Sequence, residues 1–526
     1  MLGDELFQRA VRERPGDAAY LYFGTAIGVA EADRTARALA AALSGELGLR
    51  PGDRVALMLQ NVPQMPIAVQ AVWRCGGVAT AVNPMNRERE LRHQLADSGA
   101  RVVFCLESLY EVVAAAREGT AVEHVVSVSE LEPLEEVPAA LAGHRRLDCP
   151  GAVRWADLVA GGGEAEAVEV GLDAPAFITY TSGTTGVPKG AINAHRAVIH
   201  NAEALTAWAA LGPGDVTVAM APLFHITGLV CHMATARVSA TPLLLLYRFD
   251  PGEILRLIEH WRGSYVIGPL TGFIAMLDHP SFPGRDLSSL TKVASGGAPV
   301  YATVVERWER ATGAYMHNTY GLTETAAPSH LVPFGERAPI DPDTGALSVG
   351  RPVPGSESRV VRVEDGAEAE AGEEGEILTR GPAVTPGYWQ RPEESAEALE
   401  DGWLHTGDVG KRDADGWWFL VDRIKDMINV SGFKVWPREV EDALFRHPAV
   451  AEASVVGAPD EYRGEIPVAY VVRREGAGLD EESLTAHCRT ELAAYKIPRR
   501  VEFVAEIPKT LTGKPLRREL RERSRD

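Results

Sequence analysis

The sequence predicts an α/β fold: a large N-terminal domain of βα-layered sheets that carries a β-rich subdomain, followed by a small α+β C-terminal domain. Three observations point there. Apolar runs of strand length alternate with helix-period segments up to about residue 345. Short strand-like pieces then take over, and a separate mixed unit begins beyond Asp422. A chain of 526 residues also exceeds what one hydrophobic core organises.

The first alternating series runs through RVALMLQ near 54, PIAVQAVWRC near 66, VATAVN near 78, the charged, helix-like REREL segment and RVVFC at 101. That pattern predicts parallel strands joined by crossover helices. A second series runs from AFITY at 176 through VTVAMAP, TPLLLL, YVIGP and KVASGG to AYMHNTYG at 314. After it, SRVVRV and GEILTR flank the acidic stretch EDGAEAEAGEEGE, which reads as a solvated loop and not as a metal site. GGGEAEA at 161 reads as a surface connection. In the last unit, PREVEDALFRHP places Pro437 at a helix start with Val440, Leu444 and Phe445 on one face. EASVVGAP, PVAYVVRR, an amphipathic segment from Glu481 to Leu492 and VEFVAEI complete it.

Composition narrows the function classes. With 45% hydrophobic and 24% charged residues the chain is that of a folded globular protein. Its 53 Lys and Arg against 73 Asp and Glu give a formal net charge of −20, which opposes general attraction to nucleic acid or anionic lipid. A polyanionic ligand therefore needs a local site. The stretch from Lys496 to Arg525 is basic, mostly as a solvated face. Cys75, Cys105, Cys149, Cys231 and Cys488 show no paired spacing, which predicts a reducing, cytoplasmic setting. Asp4 and Glu5 stand where a signal peptide would carry positive charge. TPLLLLY falls far short of the ~20 residues needed to span a bilayer, so no integral membrane segment is expected.

The most informative string is YTSGTTGVPKG at 180–190, directly after an apolar strand. Its glycines allow close backbone approach, its hydroxyls donate hydrogen bonds and Lys189 supplies a cation, the groups a phosphate chain needs. The glycine–lysine spacing is not that of a Walker A loop, and no Ser or Thr follows Lys189. The string resembles the phosphate-binding signature of the adenylate-forming superfamily, which includes acyl-CoA synthetases, peptide-synthetase adenylation domains and beetle luciferase. Six further segments match that family in order: APLFHITG at 221, SGGAP at 295, NTYGLTET at 318, HTGDVG at 405, DRIKDMINVSGFKVWPREVE at 422 and PKTLTGK at 508.

The resemblance implies an enzyme that uses ATP and Mg²⁺ to convert a carboxylic acid to an acyl-adenylate, then transfers the acyl group to coenzyme A. It places Thr181, Ser182, Gly183, Thr184, Thr185 and Lys189 on the phosphates. Gly296, Gly297, Ala298, Asn318, Thr319 and Tyr320 fall on the nucleotide, with Tyr320 stacking on adenine. Thr323 falls on the α-phosphate, and Glu324 on Mg²⁺ directly or through water. Asp408 takes the ribose hydroxyls with support from Arg423, and Lys514 bridges the carboxylate and the α-phosphate. His225 flanks the carboxylate, and Ile226, Gly321 and Ala326 line the acyl pocket. Lys425 matches the hinge about which the C-terminal domain rotates, and Gly432 the CoA channel. Lys434 and Trp436 either border the CoA path or serve as a surface salt bridge and a packed aromatic.

The expected boundaries are 1–422 for the N-terminal domain, with the β-rich subdomain from about 345, 423–425 for the hinge, and 426–526 for the C-terminal domain. Phe224 and His225 stand where amino-acid-activating relatives carry an aspartate, which disfavours an amino acid. No arginine anchor for a second carboxylate is evident, so a fatty, alicyclic or aromatic monoacid is expected over a dicarboxylate. Three alternatives stay open: an acyl-AMP ligase that loads a carrier protein, a luciferase-like oxygenase and a catalytically inactive scaffold. No nucleic-acid partner is expected, and a homodimer is left open.

Overall fold

A computed structural model describes residues 3–181, 188–342, 344–431, 433–460, 462–474, 476–509 and 515–524. The first alternating series forms a seven-stranded sheet. Its order is Val153–Arg154, His124–Val128, Val102–Leu106, Arg54–Met58, Val78–Ala81, Pro175–Tyr180 and Gly190–Ala194. All neighbours are parallel except the last pair, which is an antiparallel hairpin. The second series forms the parallel centre of a nine-stranded sheet, through Leu243–Leu245, Thr217–Val218, Tyr265–Gly268, Lys292–Gly296 and Met316–Leu322.

One assignment differs from the sequence reading, and one strand lies outside the segments it singled out. The strand AFITY opens the second series in sequence but pairs with Val78–Ala81 in the first sheet. Conversely, Ala18–Tyr22, far upstream, joins the second sheet beside Leu243–Leu245. Strands buried on both faces read alike as apolar runs, so periodicity reveals that they are strands but not which sheet they enter.

Helix Gln64–Arg74 is buried along its whole length and belongs to one apolar core that includes residues of both sheets, such as Leu57, Phe104, Leu244 and Ile267. Buried polar groups fix the contact between sheets. Asn61 Nδ2 donates to the carbonyls of Ala219 and Ala221 at 3.0 and 3.3 Å, and its Oδ1 accepts from the Leu223 amide at 2.7 Å. The ends of the two sheets are thereby held in register, and the candidate site is built there.

The β-rich subdomain is an antiparallel sheet with Glu357–Val361, Gly375–Arg380, Trp403–Arg412 and Trp418–Arg423 in that order. The C-terminal unit has its own core around Val435, Val440, Leu444, Val455 and Val471. Its sheet joins Phe433–Val435, Ile428–Val430, Gly464–Arg473 and Val450–Asp460, with Arg500–Phe503 added in parallel. The helix predicted at Pro437 runs Pro437–Phe445, with the proline in its first turn, where no N–H is missed. All five cysteines are free, and among the described residues no helix is long and apolar enough to cross a membrane.

Candidate active site

The loop singled out in the sequence connects the two strands of the antiparallel hairpin at the edge of the seven-stranded sheet. Tyr180 pairs with Gly190, and the Thr181 amide donates to the Lys189 carbonyl at 2.9 Å, closing the loop at its base. Ser182, Gly183, Thr184 and Thr185 lie outside the described residues. The ammonium of Lys189 stands 5.2 Å from the ring centroid of Tyr388, a cation–π distance. The hydroxyl of the same tyrosine donates to Glu324 Oε1 at 2.7 Å, and burial together with that carboxylate raises its pKa. One side chain thus joins the cation of the loop to the candidate magnesium ligand.

Glu324 sits on a short 3₁₀ turn, Thr323–Thr325, whose carbonyls are gripped from behind. Buried Asn193 donates to the Thr323 carbonyl at 2.8 Å, and buried Asn201 donates to those of Thr325, Ala326 and Pro328 at 2.9, 2.8 and 3.2 Å. The Thr385 amide donates to the Glu324 carbonyl at 2.7 Å. After the turn, Ala326 and Ala327 adopt φ of 49° and 81°, a left-handed conformation that costs a non-glycine residue ~1 kcal/mol or more. Gly321 pairs against this turn so closely that a Cβ would lie 2.0 Å from the Ala327 carbonyl oxygen. Gly321 and Ala326, both expected in the acyl pocket, therefore also carry a backbone constraint.

Among the described residues, no cluster of three or more His, Cys, Asp or Glu could hold a metal ion. A single half-exposed carboxylate suits Mg²⁺, which binds through one or two carboxylates plus substrate phosphates and water. The residues present fit that ion.

A second corner forms where the β-rich subdomain meets the nine-stranded sheet. Asp408 is 3% exposed, accepts a hydrogen bond from the Tyr320 hydroxyl at 2.7 Å and pairs with Arg423 Nε at 3.0 Å. The turn before it is set by Thr406, whose hydroxyl donates to the Ile377 carbonyl at 2.6 Å, and by Gly407, at φ 69°. Tyr320 itself packs against Val349, Val360, Ile377 and Trp418, and its hydroxyl positions Asp408. Burial and the carboxylate push that hydroxyl well above its ordinary pKa, so it stays a donor.

Asn318 and Thr319 spend their side chains on the backbone. Asn318 Nδ2 donates to the carbonyls of Leu347 and Ser348 at 3.2 and 3.0 Å, and Thr319 Oγ1 to that of His330 at 2.9 Å. They shape the site from behind. Gly296 pairs with Thr319 across the sheet, where a Cβ would meet the Thr319 carbonyl oxygen at 2.4 Å. Gly297, at φ 78°, faces open space, with half-buried Ala298 next to it.

His225 lies in the turn after Pro222. The Thr227 amide donates to its Nδ1 at 3.3 Å, which assigns the proton of the neutral ring to Nε2. Ile226 is buried, and the chain then enters a π-helical segment, Gly228–Ala234, with every residue buried. Such segments are rare and recur at functional sites. Gly228 permits the turn, since a Cβ there would lie 2.1 Å from the Pro222 carbonyl oxygen.

Lys425 occupies a short 3₁₀ turn, Ile424–Asp426, immediately after Arg423. Around this turn Arg517 donates to Asp422 at 2.9 Å, to Asp426 at 3.3 Å and to both oxygens of Glu441 at 2.9 and 2.8 Å. These carboxylates hold its guanidinium charged despite burial. Lys514 and Gly432 lie outside the described residues. Sequence reasoning missed Tyr388, Asn193, Asn201 and Arg517. The available signal for the asparagines was a polar residue inside an otherwise apolar strand or helix face.

A groove of about 480 Å³ lined by Tyr315, His317, Phe334 and Arg337 opens at the N-terminal ends of the strands, opposite this constellation. Its rings are mutually packed.

Residues 7–389 match the model of the AMP-binding enzyme family, and residues 439–514 match that of the AMP-binding enzyme C-terminal domain. The chain is 37% identical over 536 residues to a long-chain-fatty-acid–CoA ligase of Escherichia coli O157:H7, covering 99% of this chain and 94% of the relative. It is also 37% identical over 520 residues to a feruloyl-CoA synthase of an Amycolatopsis species, covering 98% and 97%. ATP-bound MatB from Rhodopseudomonas palustris superposes with a TM-score of 0.88 at 30% identity, covering 99% of each chain. The apo form of MatB gives 0.78 at the same identity and coverage. The chain belongs to the AMP-binding, adenylate-forming enzyme family, in its acyl-CoA ligase branch, and is an AMP-forming acid–thiol ligase.

Proposed function

We propose that this chain activates an apolar monocarboxylic acid, fatty or aromatic, by joining it to the AMP moiety of ATP, and then passes the acyl group to coenzyme A. The observation that carries the site assignment is the convergence of Lys189 and Glu324 on Tyr388, with the Asp408 corner held by Tyr320 and Arg423. In the first half-reaction a carboxylate oxygen bonds to the α-phosphorus and the bond to pyrophosphate breaks. Two anions must meet, so charge neutralisation and alignment dominate. Lys189 and the hydroxyl-rich loop take the phosphates, Glu324 would hold Mg²⁺, and Asp408 takes the ribose hydroxyls. Mg²⁺, when bound, neutralises phosphate charge. Thr323 contacts the α-phosphate, and Lys514 bridges it to the acid. In the second half-reaction the CoA sulfur bonds to the acyl carbon and AMP departs with the carboxylate oxygen.

The acid lies beside His225, where buried Ile226 and the apolar π-helical segment suit a hydrocarbon group. Equal identity to a fatty-acid ligase and a feruloyl-CoA synthase supports an apolar monoacid without choosing between chain and ring. The division at Asp422 and the hinge at Lys425 are part of the same reading. The closer superposition on ATP-bound than on apo MatB supports an adenylate-forming arrangement here. The test is a panel of long-chain, medium-chain and aromatic acids, with ATP, Mg²⁺ and CoA, scored by mass spectrometry. Acid-dependent acyl-CoA with one AMP per thioester is expected, and acid-independent AMP formation would sink the reading.

A further inference from the structure

The sequence allows two readings of Trp436 and Lys434 and one, a solvated loop, of the acidic stretch 364–376. The structure brings them together. Trp436, on the C-terminal side of the hinge turn, is 8% exposed and packs against Val409 and Val421 in strands of the β-rich subdomain. Its indole N–H donates to Glu374 at 3.0 Å, and beside it the Lys434 ammonium pairs with Glu364. Other acids of the loop are engaged within the subdomain: Asp365 and Glu373 both face Arg362. The two turned outward grip the strand Phe433–Val435 and the residue after it.

We propose that Trp436, with Glu374 and the Lys434–Glu364 pair, is a positioning residue that holds the C-terminal domain in the arrangement for adenylation. The inference rests on the two half-reactions proposed above. Its physical basis is that an aromatic buried against the other side of a hinge must leave its cavity whenever the domain turns. Burying an indole against two valines biases the domain equilibrium far more than the exposed ion pair beside it does. The acidic loop supplies direction, because in this arrangement the single indole N–H is donated to Glu374 while the ring stays buried.

The half-reactions are measured separately in the full chain: pyrophosphate release without CoA, and thioester formation from supplied acyl-AMP. Trp436→Ala is expected to slow the first by about tenfold while leaving the second unchanged or faster, the shift produced by ~1.4 kcal/mol of lost bias. Trp436→Phe keeps the apolar plug and should recover most of the adenylation rate. Glu374→Gln, a surface change that leaves the core intact, is expected to shift the ratio of the two rates in the same direction by about twofold. Equal loss of both half-reactions in Trp436→Ala, with no change of ratio in Glu374→Gln, overturns the positioning role. Failure of the wild-type chain to perform either half-reaction overturns the proposed function instead, so the two failures are distinguishable.

Discussion

Two carboxylates near the ends of the sheets are built in opposite ways. Asp408 is buried, with Tyr320 on one oxygen and Arg423 on the other. Glu324 is half-exposed and receives one hydroxyl, from Tyr388, although asparagines anchor the backbone on both sides of it and the Thr385 amide holds its carbonyl. The contrast separates two tasks. A group that recognises neutral ribose hydroxyls benefits from being fixed before the ligand arrives. A group that shares a hydrated cation with moving phosphates needs open coordination on a firm base. Backbone rigidity with side-chain freedom at Glu324, and rigidity of both at Asp408, is the arrangement the proposed chemistry asks for.

The comparison yields graded expectations. Glu324→Gln should lower the rate of pyrophosphate release by about two to three orders of magnitude, the range for losing a charge-stabilising group, with little change in melting temperature. A parallel fall in thermal stability would mean that Glu324 is structural. Asp408→Asn should raise the KM for ATP by about one order of magnitude and also destabilise the fold by ~2 kcal/mol, because Arg423 loses its partner. An unchanged melting temperature there would erase the contrast between the two sites.

Acid should attack the Asp408 corner before the Glu324 turn. His330 is buried against Tyr320 and Trp418, and burial lowers its pKa to about 3. Buried His195 and His232 are lowered to about 4. Unfolding lets each ring bind a proton at the ordinary pH near 6.5, so the unfolded state holds more protons below that point and stability falls as pH drops from about 6.5 toward 3. His330→Phe, which fills the space without a titrating ring, should move the acid-unfolding midpoint down by about half a pH unit. Circular dichroism against pH measures it, and an unmoved midpoint would show that His330 already carries its proton in the fold. The smallest effect is expected from Tyr388→Phe, which removes one hydrogen bond and keeps the ring near Lys189. Adenylation should fall by only about two- to fivefold, read as pyrophosphate release.

Much of this was legible in the sequence. The order of the motifs from Thr181 to Lys514 identified the family, and strand-length apolar runs located most strands. The path of the chain between sheets was not legible, because AFITY and its neighbours are buried on both faces and carry no period that distinguishes one sheet from another. Tyr388 was missed because its partner Glu324 is 64 residues away and its own segment is irregular. Asn193 and Asn201 act on backbone carbonyls, which no side-chain motif records. The acidic loop was read by charge alone, and charge does not say which of its carboxylates face solvent and which face Lys434 and Trp436.

The central claim is that the acid's own oxygen attacks the α-phosphorus. Supplying an ¹⁸O-labelled carboxylic acid that the enzyme accepts, with ATP, Mg²⁺ and CoA, tests it directly. One labelled oxygen per turnover is predicted in AMP, with none in pyrophosphate. Label in orthophosphate, or AMP without label, would contradict an acyl-adenylate and with it the roles given to Glu324 and Asp408.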